Sequence, residues 1–133
     1  MGFALAEACA ERGAEVTLVA GPVSLKTHHP AIKRIDVESA GEMYQAAMTA
    51  FPSSDAAILC AAVADYRPEN ASEQKIKRET EREMTLHLVP NPDIAASLGA
   101  IKREGQVMVG FALETNDEAT HAEGKLKRKN LDF

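Results

Sequence analysis

Apolar positions along the chain switch repeatedly between a helical and an extended period. Residues 3–13, FALAEACAERG, carry small apolar residues at helical spacing and end on Gly13, which suits a helix C-terminus. AEVTLVAGP (14–22) is a short β-branched run halted by Gly21 and Pro22 and predicts a buried strand. After the loop VSLKTHHPAIK, RIDV (34–37) predicts a second short strand. Ser39 is placed to cap a helix in which Met43, Ala47 and Ala50 share one face. The most apolar stretch, within SSDAAILCAAV (53–63), predicts a third strand covered on both faces, as in parallel α/β sheets.

The rhythm then changes. KIKRETEREMTLHLV (75–89) alternates on both sides of a charged centre, which predicts a β-hairpin beside the main sheet. NPDIAASLGAIKREG (91–105) predicts a helix with Asn91 as N-cap, Pro92 in the first turn and Gly105 as the stop. QVMVGFAL (106–113) predicts another buried strand. TNDEATHAEGKLKRKN (115–130) predicts a last helix, acids first and bases last, as the helix dipole favours. LDF (131–133) reads as the start of a further strand.

Alternating helices and strands give an α/β class, a Rossmann-like and mostly parallel sheet flanked by helices, with the hairpin over about 75–89 as an insertion. The chain opens on a helix with no strand or glycine turn before it and ends inside a strand. The expectation is a single but incomplete domain over 1–133, truncated at both ends, whose absent first strand belongs in the middle of the sheet.

Composition narrows the function classes. A hydrophobic fraction of 45% and a charged fraction of 26% are those of a globular domain. A net charge of −5 argues against bulk attraction to nucleic acid or anionic membrane, so any polyanion must meet a local basic cluster. The longest apolar run, AAILCAAVA (56–64), is far short of the ~20 residues that span a bilayer. Neither a secretory leader nor a myristoylation signal is evident. Cys9 and Cys60 form no C-x-x-C pair and read as ordinary thiols in a reducing cytoplasm.

Candidate chemistry gathers at predicted element ends. In open α/β sheets ligands bind beyond the carboxyl ends of strands, where Asp65, Tyr66 and Arg67 follow the third strand. They are either a ligand-facing set or a polar loop that solvates the strand end. Lys75 and Lys77 share a strand face and are either an outer charged face or a point charge for a phosphate. NPDI (91–94) is a good helix start, and the same start offers backbone N–H groups to a ligand. KLKRK (125–129) has four bases in five residues; the dipole accounts for one or two, and the set is either a polyphosphate grip or a solvated helix end. Phe111 is either core or a surface for a base to stack on. His28 and His29 read as a surface pair, and neither His87 nor His121 has an evident catalytic partner.

Together, AAVADYRP (61–68), KIKR (75–78), NPDI (91–94), VGFALET (109–115) and KLKRKNLD (125–132) resemble phosphopantothenate–cysteine ligase, also called phosphopantothenoylcysteine synthetase. In most bacteria that family is the C-terminal half of a bifunctional flavoprotein of coenzyme A biosynthesis, whose other half is a flavin decarboxylase. The resemblance implies a cytoplasmic, magnesium-dependent enzyme, homodimeric when intact. It joins 4'-phosphopantothenate to L-cysteine with CTP through an acyl-cytidylate, releasing pyrophosphate and then CMP.

Carried over by position, the resemblance implies that Asp65 serves the ribose or its metal and that Lys75 is the catalytic lysine at the phosphates. Pro92, Asp93, Ile94 and Ala95 would line the base pocket, Phe111 would wall the nucleotide, and Lys125 and Lys129 would hold the triphosphate. Ala61 matches a small position where backbone approaches the ligand. Mg²⁺ would be held mainly by the triphosphate, with Asp65 as the one protein carboxylate at hand. AAVADY followed by KIKR looks like the bacterial, CTP-using form.

Two other readings stand beside this one. An NAD(P) reductase needs an acid at the end of its second strand, and Ala20-Gly21-Pro22 supplies none. A truncated, non-catalytic nucleotide-binding or assembly fragment of the ligase is the alternative from another class.

Overall fold

The computed structural model describes residues 1–72, 74–76, 84–111, 124 and 126–133. Helix α1 (Gly2–Glu11) ends as its glycine predicts. Gly13, at φ +91°, donates to the Ala10 carbonyl, and Ala14 donates to Cys9, so two carbonyls of the last turn are paired. Strand β1 (Val16–Ala20) comes next and runs parallel to β2 (Ile32–Asp36), with Val16 opposite Ile32 and Ala20 opposite Asp36. Helix α2 (Ala40–Ala50) starts at the expected cap, where the Ser39 hydroxyl accepts from the Glu42 amide at 3.1 Å. The Glu42 carboxylate in turn accepts from the Glu38 amide at 2.8 Å, pairing the residue before the cap with the first turn.

After a single 3₁₀ turn (Phe51–Ser53), β3 (Ala56–Leu59) runs parallel to β6 (Val107–Gly110), Ala56 facing Val107 and Leu59 facing Gly110. Between them the chain forms β4 (Tyr66–Pro68), β5 (Leu88–Pro90) and α3 (Ile94–Ile101). The expected class is therefore present as two parallel pairs, β1–β2 and β3–β6, with an antiparallel β4–β5 pair. Helix α1 packs on β1 and β2, while α2 packs on β1 and α3. No strand joins β1 to β3 among the described residues.

The densest packing lies between α2, α3 and the β3–β6 pair. Phe51, Leu98 and Met108 are buried there, with Ala47, Met48, Ala57, Leu59, Ile94 and Leu131 against them. Gln106 is the one buried polar side chain among the described residues, and its amide is fully used. Its Nε2 donates to the Phe51 and Ser54 carbonyls at 3.0 and 2.6 Å, and its Oε1 accepts from the Arg103 amide at 2.8 Å. This ties the entry of β6 to the turn before β3.

Several elements differ from the sequence pattern. The third strand is not covered on both faces: Ile58 is 41% exposed, and β3 stops at Leu59, where its pairing with β6 stops. Cys60–Ala64 continues the apolar run, but its side chains are mostly alanine and have little to bury. Helix α3 is capped by Asp93 rather than Asn91; the Asp93 carboxylate accepts from the Ala96 amide at 3.0 Å. It also ends at Ile101, before Gly105, which supplies a later turn at φ +85°. The hairpin expected over 75–89 has its second arm in β5, but β5 pairs with β4, so Tyr66 faces Pro90 and Pro68 faces Leu88. Residues 77–83 lie outside the described residues. So does most of the helix expected over 115–130, of which 124 and 126–128 are described and helical.

Candidate functional site

Because β3 and β6 are parallel, their carboxyl ends lie at the same end of the pair, and the segments leaving them emerge side by side. Ala61 lies two residues past β3, and Phe111 one residue past β6, its amide donating to the Leu59 carbonyl at 3.2 Å. Both are exposed, Phe111 by 51%. Phe111 is thus not core, and its ring is open to a ligand.

The loop carrying Asp65 is fixed to the start of α3 by Asn91. The Asn91 amide donates to the Asp65 carbonyl at 2.7 Å, and its Nδ2 donates to the Ala64 carbonyl at 2.8 Å. Arg67 closes the junction, donating from Nη1 to the Pro90 carbonyl at 2.8 Å and to Asn91 Oδ1 at 3.2 Å. Asp65 and the Pro92–Ala95 segment, distant in sequence, are therefore neighbours through one residue. Reading Asn91 as a helix cap misses this bridge. Two cap-competent residues flanking Pro92 are the only signal in the sequence, and they do not say which one serves the helix.

Lys129 arrives from the other end of the chain. Its Nζ lies 3.0 Å from Asp93 Oδ2, while the other carboxylate oxygen caps α3. Partial burial raises the affinity of Asp93 for a proton, but the Ala96 amide, the Lys129 ammonium and the Ala95 amide outweigh it, and the carboxyl stays below its usual range. The backbone behind Lys129 is held against α3. Gly99 meets the Lys129 carbonyl so closely that a Cβ there would lie 2.1 Å from the oxygen. Asn130, at φ +53°, donates from Nδ2 to the Gly99 carbonyl at 3.0 Å.

Beyond it, Asp132 accepts from Lys102 Nζ at 2.6 Å and from the Met108 amide at 2.7 Å, which lowers its carboxyl pKa. Phe133 then continues along β6, its carbonyl accepting from the Gly110 amide at 2.9 Å. The segment read as the start of a strand runs beside β6 through these bonds but forms no regular strand over 131–133.

The predicted residues thus fall into three groups. Asp65, Pro92, Asp93, Ile94, Ala95 and Lys129 are joined by the contacts above, and Ala61 and Phe111 leave the shared end of β3 and β6. Lys75 is exposed and meets none of the others through a described hydrogen bond or ion pair. Lys125 lies outside the described residues. Among those described, no three His, Cys, Asp or Glu side chains gather to hold a metal ion. Partial burial pushes the Cys60 thiol up, so it is a poor nucleophile at neutral pH. Among the described residues no helix is long and apolar enough to cross a membrane.

Known proteins resemble this chain along its whole length. It is 57% identical over 133 residues to a cysteine/cysteine sulfinic acid decarboxylase of an unknown prokaryotic organism, covering 100% of this chain and 37% of that protein. It is 53% identical over 134 residues to the coenzyme A biosynthesis bifunctional protein CoaBC of Vibrio parahaemolyticus serotype O3:K6 (strain RIMD 2210633), covering 100% of this chain and 33% of the relative. The chain thus spans about a third of the length of these curated relatives. The crystal structure of the C-terminal domain of a CoaBC protein superposes with a TM-score of 0.82 at 35% identity, covering 98% of this chain and 59% of that one. The profile of the DNA/pantothenate metabolism flavoprotein C-terminal domain matches residues 1–133, and the chain belongs to that family.

Proposed function

We propose that this chain is the ligase part of a coenzyme A biosynthesis protein, activating 4'-phosphopantothenate with CTP and passing it to L-cysteine. The observation that carries this is the junction at Asn91, which sets the Asp65 loop and the start of α3 side by side with Lys129 against Asp93. The full match to the family profile supports it, as do relatives named for coenzyme A biosynthesis. The decarboxylase name belongs to a whole relative of which this chain spans 37%.

The chemistry asked of the residues is modest. A carboxylate is a poor electrophile until it carries a good leaving group, and CMP supplies one. The substrate carboxylate attacks the α-phosphate, pyrophosphate leaves, and the cysteine amine then displaces CMP. Charge builds on phosphate oxygens, so fixed cations matter more than a covalent nucleophile. Lys129 and Lys125 would grip the triphosphate and Lys75 would meet the developing charge. Asp65 would accept from the ribose. Backbone groups of Pro92–Ala95 would read the base, and Phe111 would pack on the nucleotide. Among the described residues no three His, Cys, Asp or Glu side chains gather. A magnesium ion would therefore be carried mainly by the triphosphate, with Asp65 as the residue that would help hold it, and would neutralise phosphate charge. The intact protein works in the cytoplasm as a homodimer. A nucleotide-binding fragment without catalysis is the second reading, favoured by Lys75, which is exposed and meets none of the other site residues through a described hydrogen bond or ion pair.

Calorimetry with CTP and with ATP, each with Mg²⁺, tests the proposal on the chain and on Lys129→Ala. CTP-selective binding, weakened in the variant, is expected. Turnover of 4'-phosphopantothenate with cysteine separates the ligase from the binding fragment. Absent binding of both nucleotides would sink both readings, and equal binding would sink the CTP-selective ligase.

A further inference from the structure

Lys129 already has a partner within the chain: the Asp93 carboxylate at 3.0 Å. Two features make that pairing exchangeable. Asp93 keeps a second contact, accepting from the Ala96 amide at 3.0 Å at the positive end of α3, so it is not stranded when the ammonium leaves. The backbone at 129–132 is anchored without the ion pair, through Asn130 Nδ2 to Gly99, Lys102 Nζ to the Asn130 carbonyl at 3.2 Å, and Lys102 to Asp132. Exchange therefore needs only rotation of one lysine side chain. The pair is half in solvent, with side-chain exposures of 24% for Lys129 and 49% for Asp93, so water and ions can reach it.

We propose that Asp93 is an internal competitor for Lys129, an anion of the protein that a polyphosphate must displace before the lysine can grip it. The inference deepens the nucleotide reading and rests on it. A carboxylate carries one charge and a nucleoside triphosphate several, so the exchange favours a triphosphate and is weak with a monophosphate. The same site would then let CMP go while holding CTP. Asp93 is a positioning residue here: it sets where Lys129 waits and which anions can claim it.

The test is calorimetry with CTP and CMP on the chain, on Asp93→Asn and on Asp93→Asn/Lys129→Ala beside Lys129→Ala. Asn caps a helix as well as Asp, so the first variant removes charge and keeps the cap; Asp93→Ser serves the same purpose if the Asn variant does not fold. The expected result is roughly two- to fivefold tighter CTP binding in Asp93→Asn, the range for a partly exposed ion pair. CMP, which can claim Lys129 once the carboxylate is gone, is expected to tighten as well, and both gains vanish when Lys129 is also Ala. Unchanged or weaker CTP binding in Asp93→Asn overturns the competition. A gain that persists without Lys129 also overturns it, because that is plain repulsion between carboxylate and phosphate. If the unaltered chain binds CTP and the gain is missing, only the competition fails. If it binds no CTP, the nucleotide reading falls and takes the competition with it.

Discussion

Gly99 shows how one side chain fewer decides where the C-terminal segment can lie. An alanine there meets two opposed effects. Alanine is favoured over glycine inside a helix by about 1 kcal/mol. Against that stands an overlap with the Lys129 carbonyl at 2.1 Å, backbone that cannot swing aside as a side chain can. Overpacking of this kind costs about 1–3 kcal/mol, so Gly99→Ala is expected to be destabilising. Urea unfolding measures it, and a stabilised variant would show that the segment does not sit on α3.

Asp132 gives a second expectation at this scale. Its carboxyl is depressed by the Lys102 ammonium and the Met108 amide. A carboxyl depressed by folding contributes stability that is full above its unfolded pKa and fades as pH falls through the folded value, in acid below about pH 4. Asp132→Asn should therefore flatten the loss of stability between neutral and acid pH, read as the change in urea midpoint. An unchanged acid slope would mean the carboxylate is not held by these donors.

At the scale of elements, local signals were legible and contacts across the chain were not. Gly13 and Ser39 could be read because each acts within a few residues of itself, on the helix it ends or begins. The parallel strands could be read from short β-branched or continuously apolar runs. The choice between Asn91 and Asp93 could not, because Asn91 is used by Ala64 and Arg67, more than twenty residues away. For the same reason the gathering of Asp65 with Asp93 was legible only through family resemblance, and the ion pair to Lys129 not at all.

Asn91→Ala removes both side-chain bonds of the junction while leaving Asp93 to cap α3. A loss of about 1–2 kcal/mol is expected for two partly exposed hydrogen bonds. Weaker CTP binding is expected with it, read in one titration. Leu98→Ala, in the core behind the same helix, should cost more, about 2–5 kcal/mol. Reversal of that order would place the main support of α3 at the junction.

At the scale of the molecule, order is unequal. The β3–β6 pair lies on Phe51, Leu98 and Met108, while β4–β5 joins only three residues to three, most of them exposed. Amide hydrogen exchange should mirror this, slow at Val109, opposite Ile58, and fast at Arg67 and Val89. Equal protection would contradict a core centred on β6.

The short β4–β5 pair has one more property. Besides its own ladder, Glu69 donates to the His87 carbonyl at 2.9 Å, so the chain is pinned where it leaves and where it returns. Lys75 lies in the chain between the two ends of this clasp. Doubling such a loop adds only ~0.6 kcal/mol of closure entropy. Its length is thus free to drift while the clasp holds register. How far Lys75 can reach is then a matter of how much chain the clasp encloses, a length that closure entropy restrains only weakly.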